Sequence, residues 1–245
     1  MLCLASKNYQ LNFAIISAGE GSRLAAEGID IPKPLVTIGG LPLIDRLMEI
    51  FVRNGAASVS VIVNAENVRT IAHLQDKRLD VPLNLVIKST PGSMYSLYEL
   101  KPFLLDAPFC LTTVDTVFRE SEFAACLDTF RKDSNIDGVM AVTDFVDDEK
   151  PLYIDADDNM LIKDFCDMRP ETGKFISGGI YCLRPEAWTA LKATMQGGMT
   201  RMRDFQRQLV RQGLRLKAYQ FSKIVDIDHA DDIAVAEELI KFERL

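Results

Sequence analysis

Apolar and polar positions alternate along this chain with two different periods. "LNFAIIS" (11–17), "SVSVIVN" (58–64), "PLNLVIK" (82–88), "APFCLTTVD" (107–115) and "DGVMAVT" (137–143) are short apolar runs closed by polar or turn residues. Their length and β-branched content predict buried strands. Between them the spacing turns helical. In "PLIDRLMEIFVRNG" (42–55), Leu43, Leu47, Ile50 and Phe51 share one face and Gly55 supplies a stop. "VRTIAHLQDK" (68–77), "MYSLYELKPFL" (94–104) and "SEFAACLDTFRKD" (121–133) read the same way. Strand–helix alternation at this spacing predicts an α/β fold, a mostly parallel central sheet flanked by helices.

After residue 144 the pattern changes. "LYIDADDNMLIKDF" (152–165) predicts a hairpin turning at Asp157–Asn159. "KFISGGIYCL" (174–183) is a strand with two internal glycines, which mark close approach by a ligand or another backbone. "PEAWTALKATM" and "MTRMRDFQRQLVRQG" are helical, "LRLKAYQF" and "KIVDID" are strands, and "ADDIAVAEELIKFE" closes as a helix. No repeat or linker interrupts the pattern. The expectation is a single domain over 1–245, with a nucleotide-binding half at about 11–143 and an acceptor-binding half at about 144–245. The basic helix at 200–212 reads as a solvated face, with a homodimer contact as its alternative; the number of subunits stays open.

Composition narrows the class. Apolar residues make up 48% of the chain, yet no run approaches the roughly 20 a membrane span requires. The start, "MLCLASKNYQ", has no basic leader, so a cytoplasmic protein is expected. The five cysteines lie far apart without CxxC or Cys/His spacing, which argues against zinc and a disulfide framework. A net charge of −7 argues against nucleic acid as partner. It leaves room for a small phosphorylated ligand held by a few cations.

The chemistry concentrates in "FAIISAGEGSRLAAEGIDIPKPLVTIGGLPLID" (13–45). Gly19 and Gly21 begin a dinucleotide fingerprint, but Leu24 stands where its third glycine belongs, and no GK[ST] follows for a P-loop. What remains is GxGxR after a buried strand. The backbone of Ala18, Gly19, Gly21 and Ser22 can approach an anion and form a nest of N–H groups. Arg23 adds a fork of donors for phosphate oxygens. Lys33 lies between Pro32 and Pro34, which restrict where its ammonium can swing. Together they suit a triphosphate, with Lys33 near the phosphorus under attack.

In order and content, "SAGEGSRL…PKPLVTIGGLPLID" resembles the opening of the nucleotidyltransferases that make nucleotide-sugars and related activated head groups. These are the sugar-1-phosphate nucleotidylyltransferases and their phosphocholine cytidylyltransferase relatives. "TTVDTVF", "ISGGIY" and "VDIDHADDIAVAE" fall where the family has counterparts. The resemblance implies the nucleotide-diphospho-sugar transferase fold and Mg²⁺-dependent transfer of an NMP group from an NTP to a phosphorylated acceptor, with pyrophosphate released. The acceptor it implies first is a sugar 1-phosphate, with a phosphocholine-type acceptor as alternative. It assigns Arg23 and Lys33 to catalysis. The metal falls to Asp115 and Asp228, with Asp226 added as in the cytidylyltransferase branch. Asp115 closes a strand at the sheet's carboxyl edge, where open α/β folds bind ligands. Asp226 and Asp228 alternate on a late strand and so face one side. The resemblance places Gly92 and Ser96 against base and ribose, and makes Lys163, Asp167, Arg169, Gly179 and Tyr181 acceptor contacts. The family's Asn–Ala–Gly strand reads Ser177–Gly178–Gly179 here, and Ala25–Ala26 replaces the Pro–Thr that sugar enzymes carry after Arg–Leu. The branch therefore stays open.

Two rivals share this pattern. A glycosyltransferase of related fold normally carries Asp–x–Asp on the mid-chain strand, where "TVDTVF" offers one aspartate. A silent nucleotide-binding regulator would have no need of Arg23, Lys33, Asp115 and Asp228 together. His73 is expected on a helix surface and His229 in a loop or cap.

Overall fold

A computed structural model describes residues 10–19, 22–145, 150–171 and 173–241. The chain runs β1 (Leu11–Ser17), α1 (Ser22–Ala26), the hairpin β2 (Thr37–Ile38) and β3 (Leu41–Pro42), and α2 (Leu43–Arg53). Next come β4 (Ala56–Val63), α3 (Val68–Gln75), β5 (Leu83–Ile87), α4 (Ser93–Leu100), β6 (Phe109–Thr113), β7 (Thr116–Val117), α5 (Glu120–Lys132) and β8 (Gly138–Thr143). The remainder is β9 (Tyr153–Ala156), β10 (Ile162–Cys166), β11 (Phe175–Leu183), α6 (Ala187–Gln196), α7 (Met202–Arg211), β12 (Leu216–Gln220), β13 (Val225–Asp226) and α8 (Ala230–Ile240).

The expected sheet is present. Strands β5, β4, β1 and β6 lie side by side in parallel. Strand β11 joins antiparallel to β6 and to β8, and β12 runs parallel to β8, so strands from both halves of the chain share one sheet, nine-stranded among the described residues. Parallel strands must be covered on both faces, which is why β1 reads as one apolar run. Its residues alternate between two cores: Leu11, Phe13 and Ile15 face one, Ala14 and Ile16 the other. The first core stacks Phe13 on Phe51 at 4.5 Å between ring centres and Phe118 on Phe123 at 4.9 Å. The second packs Leu97 and Leu100 of α4 with Trp188, Phe205 and Leu209 of α6 and α7. Each such side chain contributes roughly 1.5–3 kcal/mol through burial.

Local expectations hold with adjusted ends. The 152–165 hairpin turns where predicted, because Asp157 Oδ1 accepts from the backbone N–H groups of Asn159 and Leu161, both at 2.9 Å. The helix predicted over 94–104 ends at Leu100 and continues as a 3₁₀ turn over Lys101–Phe103, since Pro102 lacks the donor an α-helix needs. Between β2 and β3, Gly39 and Gly40 both have positive φ (60° and 86°), the conformation a two-residue hairpin turn demands.

"KIVDID" differs from expectation. Only Val225–Asp226 is strand; Asp228 N–H then bonds back to the Asp226 carbonyl at 3.1 Å and the chain turns. The glycines inside β11, expected to admit a ligand or another backbone, lie chiefly against side chains, and Gly178 also lines a cavity. The register of β11 against β8 shifts between Ser177 and Tyr181. There a Cβ on Gly178 would collide with Ile224, and one on Gly179, whose φ is +74°, would lie 3.1 Å from Thr116 Oγ1. Bare glycines thus let the end of the chain and the β7 turn pack against β11. Among the described residues no helix is long and apolar enough to cross a membrane.

Candidate active site

The site begins with Lys33. Pro32 is extended (φ −51°, ψ 132°), and its carbonyl accepts from Leu35 N–H at 2.7 Å, closing a 3₁₀ turn over Lys33–Leu35. The lysine stem is thereby fixed and its side chain is only 14% exposed. Its Nζ donates to Asp115 Oδ2 at 2.9 Å and to Asp228 Oδ1 at 2.7 Å. Burial alone would depress this ammonium's pKa, but the Asp115 charge and the Asp228 hydrogen bond outweigh it and raise the value. Lys33 is held charged.

Asp115 and Asp228 meet because a two-residue ladder joins mid-chain to late chain. Strand β13 pairs antiparallel with β7, Val225 opposite Val117 and Asp226 opposite Thr116. Ile227 N–H then donates to the Asp115 carbonyl at 3.0 Å. Asp228 also accepts from Arg23 Nη1 at 2.8 Å. Burial works to raise the Asp228 pKa, yet Lys33 first and Arg23 second bring it below the usual carboxylate value. The turn that presents it is capped by α8: the backbone N–H groups of Asp228 and His229 donate to Asp232 Oδ2 at 2.8 and 2.6 Å. Glu27, just after α1, bonds the His229 ring at 2.6 Å and Ala230 N–H at 2.7 Å, tying the arginine-bearing segment to the start of α8. His229 is therefore the cap residue expected. His73 is half-exposed on α3 and bonds nearly buried Asp45 at 2.8 Å.

Asp226 stands beside this pair, open to solvent on one side and crowded by protein on the other. That desolvation, with the Asp115 charge next, pushes its carboxyl up to about 7. Asp115 and Asp228 offer hard oxygen donors around one ammonium. The donor set suits Mg²⁺, which binds few carboxylates and keeps several waters. Among the described residues no three His, Cys, Asp or Glu already stand in metal-holding arrangement. Asp115 and Asp228 share the Lys33 ammonium, and Asp226 stands close enough for both their charges to act on it.

A cavity of about 400 Å³ opens beside Lys33 and Asp115. It brings Ala18 and Gly19 together with Gly92 and Ser96, although they follow different strands. Gly21 lies outside the described residues; the Ser22 backbone starts α1. Ser96 is buried, and its hydroxyl pairs with Thr90 Oγ1 at 2.6 Å and reaches the Gly92 carbonyl at 3.4 Å. It shapes the turn from within. Sequence reasoning missed Asn64, Glu66, Ser89 and Thr90, which line the same cavity. Asn64 Oδ1 accepts from Ser89 Oγ at 2.7 Å and from Glu66 N–H at 2.9 Å. Their position just past the carboxyl ends of β4 and β5 was the signal available. Ser17 lines the cavity too, and its buried Oγ has no hydrogen-bond partner among the described residues.

On the other side of Arg23 and Asp228 lies a smaller cavity of about 130 Å³, with Asp226, Asp232, Thr143, Phe145, Ser177 and Gly178 in its wall. The expected acceptor residues divide. Gly179 adjoins Thr116 at the back of this region. Tyr181 is buried behind Ser177, whose hydroxyl it meets, and burial pushes its own hydroxyl up to about 12. Lys163 is exposed on β10, and Asp167 and Arg169 line a separate basic cavity.

Known proteins resemble this chain in sequence family and in fold. A model described as "Nucleotidyl transferase" matches residues 14–241. The inositol-1-phosphate CTP transferase structure from T. maritima superposes with a TM-score of 0.78 at 19% identity, covering 96% of this chain and 98% of that one. A UDP-glucose pyrophosphorylase from Acinetobacter baumanii gives 0.79 at 14% identity, covering 96% and 94%. Both show the nucleotide-diphospho-sugar transferase fold. A 2-aminoethylphosphonate cytidylyltransferase of Lancefieldella rimae is 36% identical over 64 residues, about a quarter of each chain (26% and 26%). The family match takes in nearly the whole length: this chain belongs to the nucleotidyl transferase family.

Proposed function

We propose that the protein transfers a nucleoside monophosphate from an NTP to a small phosphorylated acceptor and releases pyrophosphate. The observation that carries this reading is Lys33 Nζ held between Asp115 and Asp228, with Arg23 on the far oxygen of Asp228. Arg23 and the backbone from Ala18 to Ser22 hold the β- and γ-phosphates. Lys33 turns to the α-phosphate and stabilises the charge that develops there. An acceptor oxygen attacks the α-phosphorus in line, the bond to the β-phosphate oxygen breaks, and the pair of electrons leaves with pyrophosphate. No side chain acts as nucleophile, so rate comes from positioning and charge. Mg²⁺ held by Asp115 and Asp228 would supply charge neutralisation at the phosphate oxygens. Base and ribose take the cavity of Asn64, Thr90 and Gly92.

Two of the relatives named above carry cytidylyl transfer in their names, which favours CTP. The acceptor lies in the smaller cavity. There Asp226, Asp228 and Asp232 stand near Phe145, whose ring already faces the Lys223 ammonium at 4.0 Å. Carboxylates beside a cation-binding ring suit an amine-bearing phosphate or phosphonate. This favours that class over the sugar 1-phosphate expected first.

The test is pyrophosphate release with Mg²⁺, each NTP in turn, and a panel of sugar 1-phosphates, phosphocholine and 2-aminoethylphosphonate. The expected result is turnover with CTP and an amine-bearing acceptor. Turnover with sugar 1-phosphates alone overturns the acceptor assignment, and no release with any pair overturns the whole reading.

A further inference from the structure

A cavity of about 690 Å³ lies where α7 begins, beside the end of β10 and the segment entering β9. Lys150, Arg169, Arg201, Arg203 and Arg207 line it, against Asp167 and Asp204. In a chain of net charge −7 this is a local reversal of sign. It shares no lining residue with either cavity of the site described above.

Its centre is built. Arg203 Nη1 and Arg207 Nη2 both donate to one oxygen, Asp167 Oδ1, at 2.7 and 2.8 Å. Each guanidinium is also pinned by backbone: Arg207 Nε to the Phe165 carbonyl at 2.9 Å, Arg203 Nη2 to the Lys150 carbonyl at 3.0 Å. Arg169 is fixed likewise, its Nε on the Gly173 carbonyl at 3.0 Å. The arginines are thus pre-set, with side chains only 17% (Arg207) and 28% (Arg203) exposed, whereas Asp167 is 60% exposed. Rigid planar forks converging on a point recognise tetrahedral oxyanions, and little conformational freedom is lost when one binds. Asp167 is the protein's own carboxylate in that place.

We infer that this cavity is a second anion site for a phosphate-class dianion, which displaces the Asp167 carboxylate from the Arg203–Arg207 fork. A dianion with three or four oxygens can use more donors than one carboxylate oxygen does. The site also adjoins the nucleotide cavity: the Thr200 carbonyl, one residue before Arg201, packs against Gly92. The inference does not rest on the proposed reaction, since none of these residues enters it.

The experiment titrates inorganic phosphate into the full chain at constant ionic strength, with methyl-¹³C-methionine as reporter and calorimetry for affinity. Met168 lines the cavity and is 83% exposed, so its methyl resonance reports the site directly. The expected result is a saturable Met168 shift that survives Lys33→Ala. Arg203→Ala with Arg207→Ala should weaken binding at least about tenfold, the loss of charge-assisted hydrogen bonds. Asp167→Asn removes the internal competitor and should tighten binding several-fold, and as a surface substitution it keeps the test open if the double variant misfolds. A shift that never saturates, that disappears with Lys33→Ala, or that Asp167→Asn leaves unchanged overturns the inference.

Discussion

Ile227 donates its backbone N–H to the carbonyl of Asp115 at 3.0 Å, and this bond decides where the site's two carboxylates stand. With the Asp226–Thr116 pair beside it, the bond brings the late turn back over the end of β6. Asp228 and Asp115 then share the Lys33 ammonium. In unfolded chain these carboxylates would be far apart. Their approach puts like charges together, which the intervening lysine offsets.

Lys33→Ala removes the group that the proposed reaction sets against the α-phosphate. Loss of a preorganised charge donor of this kind costs about 10²–10³-fold in kcat. Pyrophosphate release under saturating substrate measures it. Retention of more than about a tenth of the activity would remove Lys33 from its role.

The metal requirement separates the three acids. Asp115→Asn and Asp228→Asn should each raise the Mg²⁺ concentration needed for half-maximal activity by about tenfold or more, a loss near 1.4 kcal/mol. Asp226→Asn should raise it less, because Asp226 stands outside the pair that meets Lys33. Mg²⁺ activation curves give the order, and an equal effect of all three would make Asp226 a full ligand.

Gly178 tests how the late turn is seated. A Cβ there collides with Ile224, so Gly178→Ala should destabilise by about 1–3 kcal/mol in urea unfolding. Combining it with Ile224→Ala should recover part of that loss, seen as a coupling energy in the double-mutant cycle. Additive effects would mean the two residues do not press on each other.

Much of this was legible in sequence and some was not. The strands β1, β4, β5, β6 and β8 stand out because both faces are buried and the runs are uniformly apolar. Lys33 and Arg23 stand out through their prolines and glycines. The β7–β13 ladder was illegible, because two residues carry no periodicity and pairing across so long a separation leaves no local mark. For the same reason alternation along "KIVDID" pointed to Asp226 and Asp228 by the wrong route: Asp228 arrives by a turn after the strand has ended. Asn64 and Thr90 follow strands that were recognised, but a single polar residue in a loop looks like any other.

The clamp between Glu27 and His229 sets a pH window. The Glu27 bond raises the His229 pKa above 6.5, so this contribution is complete below 6.5 and fades as pH rises through the folded value. The His229 bond lowers the Glu27 pKa below 4.5, so that contribution is complete above 4.5 and fades as pH falls through the folded value. Between those limits both are in force. The chain has two histidines, so a proton NMR titration resolves His229. Its midpoint should lie above 6.5 and return toward it in Glu27→Gln. A midpoint at or below 6.5 in the unaltered protein contradicts the clamp.

In the proposed reaction Asp115 and Asp228 hold one cation facing Arg23 and Lys33 across a nucleotide's phosphates. Anomalous diffraction from crystals grown with Mn²⁺ and a non-hydrolysable CTP analogue would locate that cation. One peak touching both carboxylates is expected, with Lys33 Nζ moved off them onto the α-phosphate. A peak elsewhere, or phosphates bound away from Arg23 and Lys33, would contradict it.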